Sequence, residues 1–446
     1  MRPVDEIPVD PARARIYEHG WQSWSPTAWH PAAGTSPRPV RPPTQVMSYR
    51  PGKPAPERGF QGEGLLAVDP GDGGPVRVYS GGAEVPSIRA SLVDGRVLVS
   101  ADGPVTMTTG PGVAPSGPGV GPAGSAGADP LAAWADDFAR AAGMGPIRPA
   151  PTAWCSWYHY YTDVTEADIL ENVDAIHRAA LPVDVIQIDD GWQSEIGDWL
   201  TLSGRFRSLS DLTARIADTG RRSGIWVAPF LVGARSELAR EHPDWLIGDA
   251  GHNWDQDLRG LDLTNPAVTD HLRTVFTGLR ETGFDYFKID FLYAGALPGA
   301  RRSDASPLEA YTAGMRAIRE AIGDSYLLGC GAPILPSVGL VDGMRVSADV
   351  DPSYAPHDGD LSQPSQAGAA LSTVGRAYQH GRFWVNDPDC LIVRPAVERR
   401  EEWADVVARY GGLRSCSDRI ADLDAWGLDT TRHLLATAPP PIPFPT

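Results

Sequence analysis

Apolar stretches of strand length alternate with helical patterns from about residue 151 onward. Eight apolar stretches predict strands, the eighth of them weakly: 153–157, 183–189, 224–230, 285–291, 326–331, 341–348, 382–386 and 413–420. The pattern between them predicts helices at Thr165–Ala180, Leu209–Ser223, Pro266–Thr282 and Ser306–Ile322. Seven or eight strand–helix units in about 260 residues predict an α/β fold of the (β/α)8 TIM-barrel type rather than a doubly wound sheet. No Gly-x-Gly-x-x-Gly follows the first strand, which also disfavours a dinucleotide-binding fold.

The zone before the barrel has a different pattern, in which short apolar pieces are separated by proline and glycine. This pattern predicts a reduced, β-rich N-terminal region, a partial β-sandwich, over residues 1–102. Residues 103–150 are expected to hold a Gly/Pro-rich linker and a lead-in helix. The barrel is then expected over 151–430, followed by an irregular, proline-rich tail over 431–446.

The charge of the chain narrows the class of partner. It carries 39 basic and 56 acidic residues, and the formal net charge of −17 at pH 7 disfavours nucleic acid and anionic membranes. The apolar runs are far shorter than the roughly 18 residues of a membrane helix, and the first residues lack the apolar segment of a signal peptide. We therefore expect a cytoplasmic protein without a membrane partner, whose ligand is small or neutral.

Counts of three residue types refine this expectation. The 14 tryptophans outnumber the 10 phenylalanines, which suits a protein that stacks planar rings on the flat face of a ligand. The four cysteines are scattered without a Cys-x-x-Cys pair, so neither a zinc site nor a disulfide framework is expected. Among the 39 basic residues only Lys53 and Lys288 are lysines, and each of them therefore needs an explanation.

Charged residues gather at the predicted strand ends, where TIM barrels carry their chemistry. Four carboxylates and two basic residues lie at or just after the ends of strands two, four and six: Asp189, Asp190, Lys288, Asp290, Arg345 and Asp349. A single aspartate at a strand end is more often the N-cap of a helix. Four carboxylates that repel one another, with a lysine and an arginine among them, indicate a reactive site instead.

Three reaction classes can use such a set of residues. Divalent-metal enzymes usually add histidine, but only His159 lies near a predicted strand end. A Schiff-base lyase needs a lysine of lowered pKa, whereas Asp290 would keep Lys288 charged. Glycoside hydrolysis needs two carboxylates of unequal pKa across a sugar, charged groups for hydroxyls and aromatic rings for stacking. The third class uses all of these residues.

Ordered motifs along the chain add a family resemblance. They are GWQSW (20–24), WCSWYHY (154–160), QIDDGWQ (187–193), GDW (197–199), GIWVAPF (224–230), YFKIDF (286–291), GCGAP (329–333), VDGMR (341–345) and NDPDC (386–390). Together they resemble glycoside hydrolase family 36, the melibiase or α-galactosidase family. The resemblance is close over about 150–400 and thin in the N-terminal zone, where the first motif is similar to the family's tryptophan loop.

The resemblance implies a retaining exo-α-galactosidase that removes terminal galactose from oligosaccharides and needs no metal or other cofactor. In the register of the motifs, Asp290 matches the nucleophile and Asp349 the general acid/base, with Asp351 as a less favoured rival. Asp290 would attack the anomeric carbon while Asp349 protonates the leaving oxygen, and water deprotonated by Asp349 would then release galactose. A retaining enzyme would hold the two carboxyl groups ~5–5.5 Å apart.

The resemblance also implies a set of substrate-binding residues: Asp189, Asp190, Lys288, Cys330, Arg345, Trp157, Trp226 and Trp24. The aspartates would bind the 4- and 6-hydroxyls of galactose, since charged acceptors make the stronger hydrogen bonds. The lysine would donate to ring hydroxyls, and the arginine would donate near the 2-hydroxyl. The cysteine would line the floor of the pocket, the tryptophans of the barrel its walls, and the tryptophan of the N-terminal region would close it.

Some of these residues also fit a purely structural role. Trp157 and Trp226, taken without their motifs, fit the filling of a barrel equally well, and Cys330 taken alone fits a small core residue better. Asp387 and Asp389 are interpreted as structural residues that hold a turn around the intervening proline.

The ends of the chain depart from the family pattern. Only about 20 residues precede the tryptophan loop and little follows residue 430, so we expect the first sandwich strands and a C-terminal β domain to be missing. Uncovered apolar surface then predicts poor solubility or association into a homo-oligomer. The same two carboxylates would also serve an α-N-acetylgalactosaminidase or an α-galactosyl transferase. A truncated, non-hydrolytic sugar-binding homologue is the alternative from a different class.

Overall fold

Two antiparallel sheets make up the N-terminal region. The computed structural model describes residues 1–39, 46–82, 84–110 and 129–439. The strands of this region are β1 Arg2–Pro8, β2 Arg15–Glu18, β3 Ala28–Pro31, β4 Phe60–Glu63, β5 Leu65–Asp69, β6 Val76–Ser80, β7 Ser87–Val93, β8 Arg96–Ala101 and β9 Thr106–Gly110. Their order is β1-β8-β7-β4 in one sheet and β3-β2-β5-β6-β9 in the other. Apolar residues of both sheets form one buried cluster, as in a β-sandwich.

Strand β9 corrects the sequence-based boundary at residue 102. It lies in the segment 103–150, which was expected to hold only a linker and a helix, and it pairs with β6 from Ser80↔Thr106 to Val76↔Gly110. Its threonines suit an edge strand, which a Gly/Pro count does not reveal. Residues 111–128 of the expected linker lie outside the described part of the chain, and the lead-in helix is observed as Pro130–Ala141.

Eight parallel strands form the barrel sheet. They are β10 Ala153–Cys155, β11 Val185–Ile188, β12 Arg222–Val227, β16 Phe284–Ile289, β17 Tyr326–Gly329, β18 Gly343–Arg345, β19 Val385–Asp387 and β20 Ser415–Cys416. Their order is β19-β18-β17-β16-β12-β11-β10-β20. The N–H of Leu413, just before β20, donates to the carbonyl oxygen of Asn386 in β19 at 2.9 Å and brings the two ends of the sheet together. All eight strands fall within or beside the apolar stretches, and the predicted TIM-barrel class is confirmed.

Helices connect most of these strands. The helices are α1 Pro130–Ala141, α2 Trp157–Tyr160, α3 Glu166–Arg178, α4 Leu209–Ala217, α5 Glu237–Glu241, α6 Pro266–Glu281, α7 Pro307–Ile322, α8 Gln366–Gly375, α9 Arg400–Tyr410 and α10 Ala425–Ala436. The Thr165 side chain caps α3 in a capping box with Asp168, and Pro266 is the first residue of α6, as its missing N–H allows. None of the helices in the described ranges combines the length and apolar character needed to cross a bilayer.

Helix α10 corrects the prediction of an irregular tail from residue 431. The helix continues to Ala436 because Leu434 and Leu435 are buried against the barrel core. The prolines that suggested the tail begin at Pro439, and residues 440–446 lie outside the described part of the chain.

A three-stranded antiparallel sheet, called the excursion below, follows β12 and was not predicted. It contains β13 Leu231–Gly233, β14 Leu246–Asn253 and β15 Gln256–Leu261, in the order β13-β15-β14. Trp254 and Asp255 form the two-residue tip between β14 and β15, with φ values of 51° and 53°. Two positive φ values in succession are typical of the type I′ turn that matches the twist of a β-hairpin.

The tryptophan loop of the N-terminal region, residues 20–24 together with Ser25, packs on the loop that follows β17. The N–H of Ser23 donates to the Ala332 carbonyl at 3.1 Å, and the N–H of Ile334 donates to the Trp21 carbonyl at 3.0 Å. This contact places Trp24 at the carboxyl end of the barrel strands.

Candidate active site

Lys288 joins the carboxylates that follow strands β11 and β16. Its Nζ lies 3.0 Å from Asp189 Oδ2 and 3.9 Å from Asp290 Oδ2, and all three side chains are buried. Burial alone would lower the pKa of Lys288, but the two carboxylates outweigh it and raise that pKa well above its ordinary value. The lysine therefore stays charged, which excludes the lowered pKa that a Schiff-base lysine needs.

Asp290 directly follows β16 and accepts hydrogen bonds from two N–H groups. Trp226 Nε1 donates to its Oδ2 at 3.1 Å, and the N–H of Phe291 donates to its Oδ1 at 2.7 Å. Phe291 has a φ of 52°, so the chain turns sharply just after the carboxylate. Together with the nearby ammonium of Lys288, these donors give the carboxylate a fixed orientation beside a positive charge.

Asp189 and Asp190 follow β11 and have different partners. Asp189 Oδ2 accepts from Gln187 Nε2 at 2.6 Å, in addition to the contact with Lys288. Asp190 accepts from Gln193 Nε2 at 2.6 Å on Oδ1 and from Trp254 Nε1 at 2.7 Å on Oδ2. Burial raises the pKa of Asp190 to about 6, and the two donors only partly oppose that rise.

Arg345, at the end of β18, is fully buried and contacts three carboxylates. Its Nη1 lies 2.9 Å from Asp349 Oδ1, its Nε 3.2 Å from Asp387 Oδ2 and its Nη2 2.7 Å from Asp389 Oδ1. Burial would lower the pKa of Arg345, but the carboxylates of Asp389 and Asp387 raise it well above its ordinary value. The arginine is thus a permanent cation that orients Asp349.

Asp349 differs from Asp290 in its surroundings. Its side chain remains 30% exposed, and the burial of its surroundings raises its pKa. Arg345 opposes this rise and the charge of Asp290 adds to it. The two carboxyls therefore have unequal environments: Asp290 lies beside two N–H donors and an ammonium, whereas Asp349 has a raised pKa. Asp351, the rival, is half-buried and accepts from the N–H of Ser353 in a local turn at 2.8 Å.

Cys330, Trp226 and Trp24, the expected floor and walls, come from different elements. Cys330 directly follows β17 and is fully buried; burial and the charge of Asp290 raise the pKa of its thiol well above its ordinary value. Trp226 lies in β12 and donates to Asp290. Trp24 is 8% exposed, and its ring meets that of Phe291 edge-on at 4.9 Å between centroids. The N-terminal region thus places an aromatic ring against the residue that follows Asp290.

Trp157 lies further from the charged cluster. It begins α2 after β10, is half-buried, and its ring meets Tyr161 edge-on at 5.3 Å. Burial and the charges of Asp351 and Asp349 raise the pKa of Tyr161, the ring that Trp157 contacts.

One residue of the site was not predicted, and two others have a larger role than the structural one predicted for them. Asp387 and Asp389 do hold a turn, since the N–H of Asp389 donates to Asp387 Oδ1 at 3.0 Å, but their carboxylates also fix Arg345. Asp389 further accepts from the Tyr158 hydroxyl. Their position at the end of strand seven was the signal for this role. Trp254 lies in the unpredicted excursion, far along the chain from any predicted barrel strand, and carried no such signal.

Within the described residues, no group of three or more histidine, cysteine, aspartate or glutamate side chains is arranged to hold a metal ion.

Comparison with known proteins decides the family. The family model named melibiase matches residues 146–322. A solved structure of TtGalA, an α-galactosidase from Thermus thermophilus in complex with p-nitrophenyl α-D-galactopyranoside, is 31% identical and superposes with a TM-score of 0.78. The match covers 98% of this chain and 89% of that chain. The chain belongs to glycoside hydrolase family 36, the melibiase family.

Other members are matched over different lengths. A second structure of the same melibiase-family protein, in complex with stachyose, is 30% identical, covers 97% of this chain and 93% of that chain, and has a TM-score of 0.79. The bifunctional α-galactosidase/sucrose kinase AgaSK of Mediterraneibacter gnavus is 35% identical over 159 residues, which are 32% of this chain and 17% of AgaSK. The α-xylosidase XylQ of Lactiplantibacillus pentosus is 30% identical over 156 residues, 32% of this chain and 20% of XylQ. The matched stretch is thus about a fifth of the length of these two curated relatives.

Proposed function

We propose that this member of the melibiase family is a retaining exo-α-galactosidase that hydrolyses terminal α-D-galactosyl residues of oligosaccharides. The observation that carries the proposal is the unequal pair Asp290 and Asp349. One is held by N–H donors and an ammonium, and the other has a raised pKa and a single guanidinium partner. Retaining glycosidases need this combination of an anionic nucleophile and a neutral acid. The family membership and the galactoside complexes of TtGalA support the choice of sugar.

In the first step, an oxygen of Asp290 attacks the anomeric carbon and the bond from that carbon to the leaving oxygen breaks. Asp349 gives its proton to the leaving oxygen, so the aglycone departs as a neutral alcohol. The carboxylate left on Asp349 faces the guanidinium of Arg345 at 2.9 Å, which stabilises the new charge. The product of this step is a galactosyl ester of Asp290.

In the second step, Asp349 acts as a base. It takes a proton from water, whose oxygen attacks the anomeric carbon and displaces Asp290 as a free carboxylate. Two inversions at one carbon retain the configuration. The retaining assignment requires a separation of ~5–5.5 Å between the two carboxyl groups, too short for a water molecule between them.

Substrate binding is assigned to the remaining residues of the pocket. Asp189 and Asp190 would accept from the 4- and 6-hydroxyls, Lys288 and Arg345 would donate to ring hydroxyls, and Cys330 would line the floor. Trp226, Trp24 and, at the rim, Trp157 would form the apolar walls. A cytoplasmic location and self-association remain predictions, to be tested by cell fractionation and analytical ultracentrifugation.

The first test measures p-nitrophenyl α-galactoside hydrolysis by the wild type, Asp290→Ala, Asp349→Ala and, as control, Asp351→Ala. We expect both site variants to lose several orders of magnitude in kcat/KM while the control stays within a few-fold. Added azide should partly rescue Asp290→Ala and give a product of inverted configuration, observed by NMR. Wild-type activity in Asp290→Ala would refute the proposed nucleophile.

The sugar is tested on the same protein with a panel of aryl glycosides. The panel contains the α-galactoside, the α-N-acetylgalactosaminide and the α-xyloside, the last because XylQ is named an α-xylosidase. We expect the galactoside to be the preferred substrate. Preference for another sugar would reassign the substrate. Galactose binding by calorimetry without turnover of any glycoside would favour a non-hydrolytic homologue, and oligosaccharide products would indicate transfer.

A further inference from the structure

The tip of the β14–β15 hairpin reaches the candidate active site from outside the barrel. Trp254 Nε1 donates to Asp190 Oδ2 at 2.7 Å. The indole centroid lies 5.0 Å from that of Phe291 and 6.4 Å from that of Trp226, the two residues whose N–H groups bind Asp290. Trp254 therefore touches both the hydroxyl-binding and the reacting side of the pocket.

The tip is held in place at a conformational cost. Trp254 and Asp255 both have left-handed φ values, which residues other than glycine adopt at a cost in conformational energy. Arg235 offsets this penalty, since its Nη2 donates to the Trp254 carbonyl at 3.1 Å and its Nη1 to the Asp255 carbonyl at 3.3 Å. Glu195 accepts from Arg235 Nε and from Gln256 Nε2, each at 3.1 Å. These hydrogen bonds hold the backbone of both turn residues and thereby fix the position of the indole.

The indole N–H determines how Asp190 presents its oxygens. A carboxylate has about two lone-pair sites on each oxygen. Gln193 donates to Oδ1 and Trp254 to Oδ2, so the carboxylate is held at both oxygens and cannot rotate freely. Acceptor oxygens in fixed positions suit the hydroxyls of one sugar.

We propose that Trp254 is a specificity-determining residue, which orients Asp190 towards the hydroxyls of a terminal hexose and closes the pocket beside Trp226 and Phe291. This inference rests on the proposed α-galactosidase function. An axial and an equatorial 4-hydroxyl point in different directions, so a carboxylate of fixed orientation discriminates between them, and one that can rotate does not.

The test compares Trp254→Phe with the matched control Trp245→Phe. Phenylalanine keeps an aromatic ring at the tip and removes the N–H donor. Trp245 lies in the same excursion, but it stacks on His242 at 3.9 Å rather than on the site. We measure kcat and KM for p-nitrophenyl α-galactoside, and inhibition constants for free galactose and for glucose, its 4-epimer.

We expect Trp254→Phe to raise KM and the galactose inhibition constant about tenfold to hundredfold, the loss typical of a hydrogen bond to a charged group. The glucose constant should change little, so the preference for galactose over glucose narrows. The change in kcat should be smaller than that in KM, because the bond exists before and during the reaction. Trp245→Phe should leave all of these constants within twofold.

The outcomes separate the inference from the function on which it rests. An inactive, folded wild type refutes the proposed function. An active wild type with unchanged KM and unchanged sugar preference in Trp254→Phe overturns the role of Trp254, as does a loss confined to kcat. Arg235→Ala is a second measurement that releases the tip and leaves the indole intact. It should raise KM and narrow the sugar preference in the same direction, and unchanged values would contradict the proposal even if Trp254→Phe did not fold.

Discussion

Lys288 and Lys53 show how environment decides what one side chain contributes. Lys288 is buried between two carboxylates. Burial acts to lower its pKa, but the two carboxylates raise that pKa by more. Lys53 lies at the surface of the N-terminal region, 35% exposed, with Nζ 2.5 Å from Asp102 Oδ2. A surface ion pair is worth at most about 1 kcal/mol, whereas removing one partner of a buried set leaves charges without compensation.

Replacing each lysine by methionine should therefore give opposite results. Lys288→Met is expected to lower kcat/KM at least about hundredfold, since it removes a hydroxyl donor and leaves Asp189 and Asp290 without their cation. Lys53→Met should keep full activity and change the free energy of unfolding by no more than about 0.5 kcal/mol. Kinetics and urea unfolding of both variants check this, and equal damage by the two would contradict it.

The pH dependence of the reaction follows from two raised carboxyl pKa values. Asp190, whose pKa burial raises to about 6, must be ionised to accept hydroxyls. Asp349, whose pKa is also raised by burial, must be protonated to act as the acid. Lowering the pH through 6 therefore protonates Asp190 and weakens binding, and raising it through the pKa of Asp349 removes the acid. We expect a bell-shaped kcat/KM profile with an acid limb near pH 6. A profile that stays flat between pH 4.5 and 6 would contradict the assignment of that limb.

At the scale of the element, the turn after β11 depends on one glycine. Gly191 has a φ of 118°, and a Cβ at this position would lie 2.6 Å from the carbonyl oxygen of Thr162. Both the backbone conformation and the space therefore require glycine here. Because this turn sets the direction of Asp189 and Asp190, a steric clash at Gly191 would displace both carboxylates.

Gly191→Ala and Gly220→Ala separate strain from collision. Gly220 also has a positive φ, 77°, but nothing lies within 4 Å of its added Cβ. Gly220→Ala is expected to cost about 1 kcal/mol of stability and no activity. Gly191→Ala should cost more stability and lower kcat/KM at least tenfold, because the backbone that carries Asp190 must move. Urea unfolding and kinetics check both, and an active Gly191→Ala would show that the turn tolerates displacement.

The elements also show what the sequence can and cannot predict. Strands buried on both faces read as continuous apolar runs, so all eight barrel strands were found, and the charged residues at their ends followed. The excursion was missed because β14 contains Gly248, Asp249 and Gly251, which read as a loop. The contact of Trp254 with Asp190 spans 64 positions along the chain and exists only after the hairpin folds over the barrel. Ion-pair partners on neighbouring strands, such as Asp389 for Arg345, are likewise set by the tertiary fold.

At the scale of the whole molecule, Arg376 connects the two regions. This fully buried guanidinium donates to the carbonyls of Gln22, Ser23 and Ser25 in the tryptophan loop and to that of Val346 after β18, at 2.7–3.1 Å. Burial lowers the pKa of Arg376 to about 10, which still leaves it charged at neutral pH. One side chain therefore fixes the loop that carries Trp24 to the barrel segment that leads to Asp349.

Arg376→Met should weaken folding and binding together. It leaves several buried carbonyls without a donor, for which we expect a loss of about 3 kcal/mol in the free energy of unfolding. At temperatures where the variant is folded, KM should rise because Trp24 is no longer held against Phe291. Arg140→Met, which removes only an exposed ion pair with Asp137, is the control and should change neither quantity. An unaltered KM in folded Arg376→Met would show that Trp24 does not form the pocket wall.

The two lysines also determine how the molecule can be modified chemically. Reagents that couple to primary amines need an accessible, unprotonated nitrogen, and Lys288 offers neither, since it is buried and its raised pKa keeps it protonated. Besides the terminal amine, Lys53 is the remaining amine in the sequence, and it lies in the N-terminal region. A dye or a solid support coupled through amines would therefore attach to that region, without reacting at Lys288 inside the barrel.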